Sequence, residues 1–192
     1  TLEPILFDGA SNPERYAKGA LELIQQEKVA VIFGGGDSIS RRNTRAIIEA
    51  EGALLVYPMD YEGGKPSPRI VYVGAAPNQK LIPAVNWAFQ NIGSRFFLIG
   101  TDTIYSHVAN AIIKDFIYAL NAEVIGESYI PIDNTLGLDS IIERIEASRP
   151  DVILNSIEGA GNLDFFKLLR ETHPTNIPTI SFDLTENTLR YL

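Results

Sequence analysis

The sequence predicts an α/β fold in which parallel β-sheets are flanked by helices. Short apolar runs rich in Val, Ile and Phe alternate with longer amphipathic runs along the 192 residues. The short runs are almost continuously apolar, which is typical of parallel strands covered on both faces. Each helical run returns the chain to another strand, and this alternation favours parallel sheets.

The predicted elements follow this alternation in order. Each strand is a short Val-, Ile- or Phe-rich run, and each helix is a longer run with apolar residues on one face. In chain order the elements are strand Leu2 to Phe7, helix Pro13 to Glu27, strand Val29 to Phe33, helix Ser40 to Glu51, strand Ala53 to Tyr57, strand Ile70 to Val73, helix Gln79 to Ile92, strand Phe96 to Ile99, helix Tyr105 to Leu120, strand Glu123 to Ile130, helix Leu138 to Ser148, strand Val152 to Ser156, helix Asn162 to Thr172 and strand Thr179 to Phe182.

The helix from Tyr105 to Leu120 has the clearest apolar pattern. In it, Val108, Ile112, Phe116 and Leu120 recur at every fourth position. Residues at this spacing lie on one face of a helix, so the pattern predicts one buried stripe.

A loop rich in glycine and proline interrupts the alternation between Tyr61 and Ile70. Such clusters mark loops rather than helices, and the strand and helix pattern resumes after it. A chain of 192 residues is long enough for one large domain or two small ones. We therefore expect two lobes, with residues 1–78 forming part of the first and residues 79–192 forming the second.

Composition and charge exclude several classes of function. With 45% hydrophobic and 21% charged residues, the chain has the composition of an ordinary globular protein. Its net charge of -8 disfavours nucleic acids and anionic membrane surfaces as partners. We interpret the basic cluster of Arg41, Arg42 and Arg45 as a solvated helix face. There is no cysteine and there are two histidines, so we expect no metal site and no cofactor.

The turn "FGGGDS" after the second predicted strand is the clearest candidate for a functional site. It lacks the third glycine of the dinucleotide-binding G-x-G-x-x-G pattern and the Gly-Lys pair of a triphosphate-binding loop. If Ser38 were the nucleophile of a hydrolase, it would need a glycine in place of Ser40 and a histidine base. His107 and His173 are both interpreted as surface or cap residues. We therefore expect a protein that is not an enzyme.

The remaining interpretation is that this turn binds a ligand without catalysing a reaction. Free N–H groups at a helix start and the hydroxyl of Ser38 or Ser40 suit a carboxylate or amide oxygen. The alternative is that the glycines form only a tight turn and that Ser40 only caps the helix. The turn by itself leaves both interpretations open.

Stretches along nearly the whole chain carry a family resemblance. They include "DGASNPERYAKGALELIQQEKVAVIFGGGDSISRR", "LLVYPMDYEG", "SPRIVYVGAAPNQKLIPAV", "RFFLIGTDTIY", "PDVILNSIEGAGNLDFFKLL" and "PTISFDLTENTL". In this order they resemble the urea and short-chain amide receptors of the type I periplasmic-binding-protein superfamily, which are related to branched-chain amino-acid receptors. The resemblance implies two α/β lobes joined by hinge strands, with a small polar ligand held in the cleft between them.

The resemblance also implies which residues of the first lobe contact the ligand. Ser38 matches a family residue that hydrogen-bonds the ligand. Gly36 stands where the family has an aromatic residue. Tyr57 and Met59 match the wall of the pocket in this lobe, and Met59 replaces a threonine.

In the second lobe the resemblance assigns four further residues. Thr103 and Tyr105 match a pair of aromatic residues, of which only Tyr105 is kept. Glu158 belongs to a loop that faces the cleft, and Asp183 is a further cleft candidate. The lost aromatic groups and the lost hydroxyl predict an enlarged pocket, so the ligand need not be urea or acetamide.

The family extends beyond both ends of this sequence. It begins with a strand and helix before the segment that matches Leu2, and it continues past the segment that matches Leu192. The absent first strand lies centrally in the family's first sheet. We therefore expect N- and C-terminal segments of the fold to be missing and strand edges in the first lobe to be unpaired.

The expected function is that of a solute-binding protein. It would hand a small polar ligand, such as urea, a short-chain amide or an amino acid, to the membrane subunits of an ABC importer. The expected location is the periplasm, with an export leader that is absent from this sequence. The alternative is a ligand-sensing domain of a signalling receptor or a cytoplasmic amide-responsive regulator, and a homodimer is left open.

Overall fold

The computed structural model describes residues 2–64, 66–132, 134–172 and 177–192, and the backbone alone at residue 172. The prediction for His173 lies outside the described residues. The helices are Pro13–Gln25 (α1), Ser38–Ala50 (α2), Leu81–Asn91 (α3), Ile104–Ala119 (α4), Leu138–Ser148 (α5), Gly161–Thr172 (α6) and Glu186–Leu189 (α7). The strands are Ile32–Phe33 (β1), Leu55–Tyr57 (β2), Ile70–Tyr72 (β3), Arg95–Thr101 (β4), Glu123–Ile130 (β5), Val152–Ser156 (β6) and Thr179–Ser181 (β7).

The predicted α/β class with parallel sheets is confirmed. All strand pairs among the described residues run parallel. The chain divides into two compact units, Thr1–Ala76 and Pro77–Leu192. Each unit contains its own sheet and its own apolar core.

The first unit is a three-stranded sheet in the order β1-β2-β3, with α1 and α2 packed against each other. Its buried apolar cluster contains Ile48 from α2, Leu55 and Tyr57 from β2, and Ile70 from β3. Because the strands are parallel, their carboxyl ends lie along one edge of the sheet. This edge carries the glycine turn and the residues that follow β2.

The prediction of a strand from Leu2 to Phe7 is wrong. The described residues 2–7 form no strand, and Leu2 and Leu6 are almost fully exposed. An apolar run becomes a strand only when a neighbouring strand supplies its ladder hydrogen bonds. The first sheet pairs β1 with β2 alone, so residues 2–7 have no strand partner in this sheet.

The second unit is a four-stranded sheet in the order β5-β4-β6-β7. Phe96 and Leu98 of β4 face a cluster built with α3 and α4, whereas Phe97 and Ile99 face a cluster built with α5 and α6. This alternation shows that β4 is buried on both faces, as the continuous apolar run predicted. It also places α4 and α6 on opposite faces of the sheet.

The buried stripe of α4 differs from the predicted one. Val108, Ile112, Phe116 and Leu120 are only partly buried, and the fully buried positions are Ser106, Ala109, Asn110, Ile113 and Ile117. The apolar pattern missed this face because it includes a serine and an asparagine. Both are buried because their side chains form hydrogen bonds.

Candidate functional site

The glycine turn between β1 and α2 requires glycine for conformational reasons. Gly34, Gly35 and Gly36 have φ values of +134°, +109° and +64°, which side chains rarely adopt. A Cβ on Gly36 would also lie 2.8 Å from the ring of Tyr16. The turn therefore brings the backbone directly to the start of α2.

The N-cap of α2 is Asp37, and the alternative prediction of a cap at Ser40 is wrong. The Asp37 carboxylate accepts a hydrogen bond from the Ser40 main-chain N–H at 2.9 Å. Its short acidic side chain suits this position, which satisfies a donor of the first turn. Within the part of the chain that the structure describes, the main-chain N–H groups of Gly36, Ser38 and Ile39 form no hydrogen bond. These donors, at the positive end of the helix dipole, can bind an oxygen of a ligand.

The Ser38 side chain is tied to a buried ion pair. Its hydroxyl donates a hydrogen bond to Oε2 of Glu62 at 2.8 Å. Arg41 donates to both oxygens of the same carboxylate, at 3.1 Å and 2.6 Å. Both members of the pair are buried, with Arg41 5% and Glu62 3% exposed. The interpretation of Arg41 as part of a solvated helix face is therefore wrong, because a carboxylate from a distant loop neutralises its charge.

Three tyrosines surround the guanidinium of Arg41. Its central carbon lies 4.9 Å from the ring centre of Tyr57, 5.0 Å from that of Tyr61 and 6.0 Å from that of Tyr72. The rings of Tyr61 and Tyr72 stack with centres 3.9 Å apart. Aromatic faces attract a guanidinium, so this cage and Glu62 together anchor the loop after β2 to α2.

The pKa shifts in this cluster agree with its geometry. Burial alone would raise the pKa of Glu62, but the hydrogen bonds from Arg41 and Ser38 and the charge of Arg41 outweigh it. The pKa of this carboxyl therefore lies below its ordinary value. Burial raises the pKa of Tyr57 to about 12 against the opposing effect of Arg41. At neutral pH, Glu62 is thus charged and Tyr57 is protonated.

The other predicted residues of the first unit lie at the same sheet edge. Tyr57 ends β2 and is 1% exposed, because its ring belongs to the buried cluster. Met59 follows it and is 53% exposed. The structure therefore places Ser38 and Gly36 on the turn, Tyr57 in the core beneath it and Met59 at the surface.

The second unit has a topological switch point between β4 and β6. These strands are neighbours, and the helices that follow them lie on opposite faces of the sheet. In open α/β sheets, ligands bind in the crevice that such a divergence creates at the carboxyl ends of the strands. Two of the predicted site residues, Thr103 and Glu158, follow these two strands.

The structure brings Thr103 and Glu158 together. The Thr103 hydroxyl donates to Oε2 of Glu158, and it also accepts from the main-chain N–H of Ser106 as the N-cap of α4. The main-chain N–H of Glu158 donates to the Thr101 hydroxyl at 2.8 Å. Thr101 and Ser106 are not among the predicted site residues, although the polar Thr101 at the end of an apolar strand was a visible signal.

Tyr105 and Asp183 occupy different surroundings. Tyr105 is partly buried against the apolar cluster of α3 and α4. Asp183 is partly buried and follows β7 at the same end of the sheet. Ser181, which ends β7, has a buried hydroxyl without a hydrogen-bond partner among the described residues.

A polar network extends from β6 across α4 to β5. The Ser156 hydroxyl approaches Oδ1 of Asn110 at 3.1 Å, and the Asn110 amide donates to the Tyr129 hydroxyl at 3.2 Å. Tyr129 donates to Glu127 at 2.6 Å, and Glu127 also pairs with Lys114 at 2.6 Å. Burial of Tyr129 and its bond to Glu127 both raise its pKa above the ordinary value, so this hydroxyl remains a donor.

His107 lies beside this network at the surface. Its Nε2 is 2.7 Å from the Asp102 carboxylate, and its ring stacks on Tyr129 with centres 3.8 Å apart. This position is consistent with a surface histidine of the helix start.

Metal sites and membrane spans were both searched for among the described residues. In these ranges, no three His, Cys, Asp or Glu side chains lie close enough to hold a metal ion. Every helix there is too short or too polar to cross a membrane.

Solved structures share this fold. A periplasmic binding protein from Burkholderia mallei matches with a TM-score of 0.83 and 15% identity, over 96% of this chain and 50% of that one. An ABC-transporter solute-binding protein from Rhodopseudomonas palustris matches with a TM-score of 0.77 and 21% identity, over 89% of this chain and 48% of that one. Its structure was solved with 4-hydroxybenzoate. An ABC-type branched-chain amino-acid transporter protein from the same species matches with a TM-score of 0.64 and 19% identity, over 92% of this chain and 49% of that one. The chain thus spans about half the length of these proteins.

A family model extends the comparison to the complete sequence. The model described as periplasmic binding protein domain matches residues 1–192. The predicted resemblance to the type I periplasmic-binding-protein superfamily is therefore confirmed at the level of the family. The chain belongs to the periplasmic binding protein domain family.

Proposed function

We propose that this chain is part of a solute-binding protein, not an enzyme, and that it binds a small polar ligand. The observation that carries the proposal is the start of α2, where the N–H groups of Gly36, Ser38 and Ile39 have no partner among the described residues. Unpaired main-chain donors beside a fixed hydroxyl are suited to an uncharged or anionic oxygen. Family membership supports this role.

The ligand classes in the proposal are urea, short-chain amides and amino acids. The resemblance of the sequence to urea and amide receptors supports the first two. Structural relatives include an amino-acid transporter protein and a protein bound to 4-hydroxybenzoate. Gly36 and Thr103 replace aromatic residues of the amide receptors, which favours a ligand larger than urea.

In the second unit, the proposed ligand contacts are the polar groups at the switch point between β4 and β6. Thr103 and Glu158 are hydrogen-bonded there, and Tyr105 and Asp183 lie at the same end of the sheet. The proposed mechanism is the one that the resemblance implies, in which two lobes close around the ligand. The proposed partners are the membrane subunits of an ABC importer, and the proposed location is the periplasm.

A thermal-shift screen tests the proposal. A ligand that binds only the native state raises the apparent stability as its concentration increases above the dissociation constant. We expect a saturable, concentration-dependent rise in Tm with at least one of urea, acetamide, the natural amino acids or 4-hydroxybenzoate. A cooperative melt that none of them shifts would contradict ligand binding by this chain.

A further inference from the structure

We infer that one face of the first sheet is a docking surface for a second copy of this chain. This open sheet face consists of Phe33 in β1, Leu54 and Val56 before and in β2, and Val71 and Val73 in and after β3. The inference goes beyond the proposed function, because it concerns a surface of the first unit and does not depend on any ligand.

The register of the strands places these side chains on the same side of the sheet. Phe33, Val56 and Val71 are direct partners across the three parallel strands, and residues two apart in a strand point to the same side. The intervening positions Leu55 and Ile70 point to the other side, where they belong to the buried cluster formed with α1 and α2. Helices therefore cover one face of this sheet, and the opposite face is the open sheet face.

The open sheet face is exposed although all of its side chains are apolar. Phe33 is 73% exposed, Val71 48% and Val73 59%, so no part of the chain that the structure describes covers them. The strands of parallel sheets are normally buried on both faces, which is why their sequences are continuously apolar. A contiguous apolar patch that is left in water marks an interaction site.

A second copy fits the open sheet face because this face is complementary to itself. The bulky Phe33 stands on the β1 side and the smaller Val71 and Val73 stand on the β3 side, with β2 between them. A two-fold axis that runs parallel to the strands, between the two sheets and above β2, brings β1 of each copy opposite β3 of the other. The phenyl ring of each copy then packs against the valines of the other, with large side chains against small ones as in a β-sandwich.

Charge and area are both compatible with this contact. Each copy carries a net charge of -8, but none of the five side chains of the open sheet face is charged, so the contact brings no like charges together. Three strands about 4.8 Å apart and about five residues long give two copies an interface on the order of 1,000 Å². This area is at the lower limit for a specific interface, so we expect a reversible dimer rather than a permanent one.

Sedimentation velocity of the 192-residue chain, from low micromolar to submillimolar concentration, tests the inference. We expect a monomer–dimer equilibrium. Phe33→Thr and Val71→Thr should each weaken the dimer by more than about tenfold, because each removes apolar contact twice in a two-fold dimer and leaves the net charge unchanged. Trp87→Gln is the control, since it removes an exposed apolar side chain from α3 in the second unit, and it should leave the dissociation constant unchanged.

A thiol probe locates the contact independently of these variants. The chain contains no cysteine, so Val73→Cys introduces a single thiol into the open sheet face. We expect its reaction with a maleimide to slow as the protein concentration rises and the dimer forms. Tyr118→Cys, at an exposed position of α4 in the second unit, is the control and should react at the same rate at every protein concentration.

Three results would overturn the inference. A chain that stays monomeric at every concentration leaves the open sheet face to another occupant, such as a helix of a different polypeptide. A dimer that both threonine variants leave unchanged forms through another surface, for example the free edge of β1. If a threonine variant fails to fold, the thiol at position 73 decides, and a rate that does not depend on protein concentration places the contact elsewhere.

Discussion

At the residue scale, the buried pair of Arg41 and Glu62 is the feature with the largest energetic consequence. Taking two charges out of water is costly, and their mutual attraction and hydrogen bonds offset that cost only while both are present. Ser38 donates a further hydrogen bond to Glu62, and the rings of Tyr57 and Tyr61 contact the guanidinium of Arg41. Removing one partner therefore leaves an uncompensated charge in the first unit.

We predict that Glu62→Ala destabilises the protein by about 3–5 kcal/mol. Unfolding by guanidinium chloride measures this without adding urea, which is a candidate ligand. The double variant Arg41→Met with Glu62→Leu is the control and should recover most of the loss, because it removes both charges. A loss below about 1 kcal/mol for Glu62→Ala would show a pair as weak as those at protein surfaces.

The pair also predicts a pH dependence. The pKa of Glu62 in the folded protein lies below its ordinary value of 4.5. Its contribution to stability is therefore fully present above that value and is lost as the pH falls through the folded-state pKa. We expect the difference in unfolding free energy between the unmodified protein and Glu62→Gln to be constant near neutral pH and to shrink below about pH 4.5. A difference that does not change with acidification would contradict the charged state of Glu62.

The sequence identified Ser38 as a candidate but gave no sign of its partner. Glu62 lies 24 positions away, in a loop whose glycines and prolines predict only irregular structure. The basic cluster on α2 looked like a solvated surface because charge alone does not distinguish a paired arginine from a free one. Contacts between distant residues of this kind follow from the tertiary fold, which local patterns do not encode.

At the element scale, apolar patterns predicted most strands and helices correctly. They failed where strand pairing or the burial of polar side chains decides the structure. Residues 2–7 are apolar but have no strand partner in the first sheet. The buried face of α4 contains Ser106 and Asn110, which a search for apolar repeats passes over.

The buried polar face of α4 leads to a prediction about Asn110. Its side chain contacts both Ser156 and the Tyr129 hydroxyl, so Asn110→Ala removes the partner of two groups. We expect a destabilisation of about 1–3 kcal/mol, measured by guanidinium unfolding. Asp115→Ala, on the exposed face of the same helix, is the matched control and should change the stability by less than about 0.5 kcal/mol. Equal effects of the two substitutions would contradict the importance of the buried network.

At the scale of the whole molecule, polar groups gather at the carboxyl ends of the strands in both units. In the first unit they are the donors at the start of α2, and in the second they are Thr103 and Glu158 at the switch point. The net charge of -8 disfavours anions at long range. Fold and family were predictable because they depend on patterns spread over the whole chain, whereas the ligand depends on a few contacts.

The most direct test of the account is to observe the start of α2 while a ligand binds. Uniformly ¹⁵N-labelled protein is titrated with acetamide, and the main-chain amide resonances are followed by NMR. We expect saturable shifts that are largest at Gly36, Ser38 and Ile39, because these N–H groups gain a hydrogen-bond acceptor. Unchanged resonances at these three residues, while others shift to saturation, would contradict it and place the ligand elsewhere.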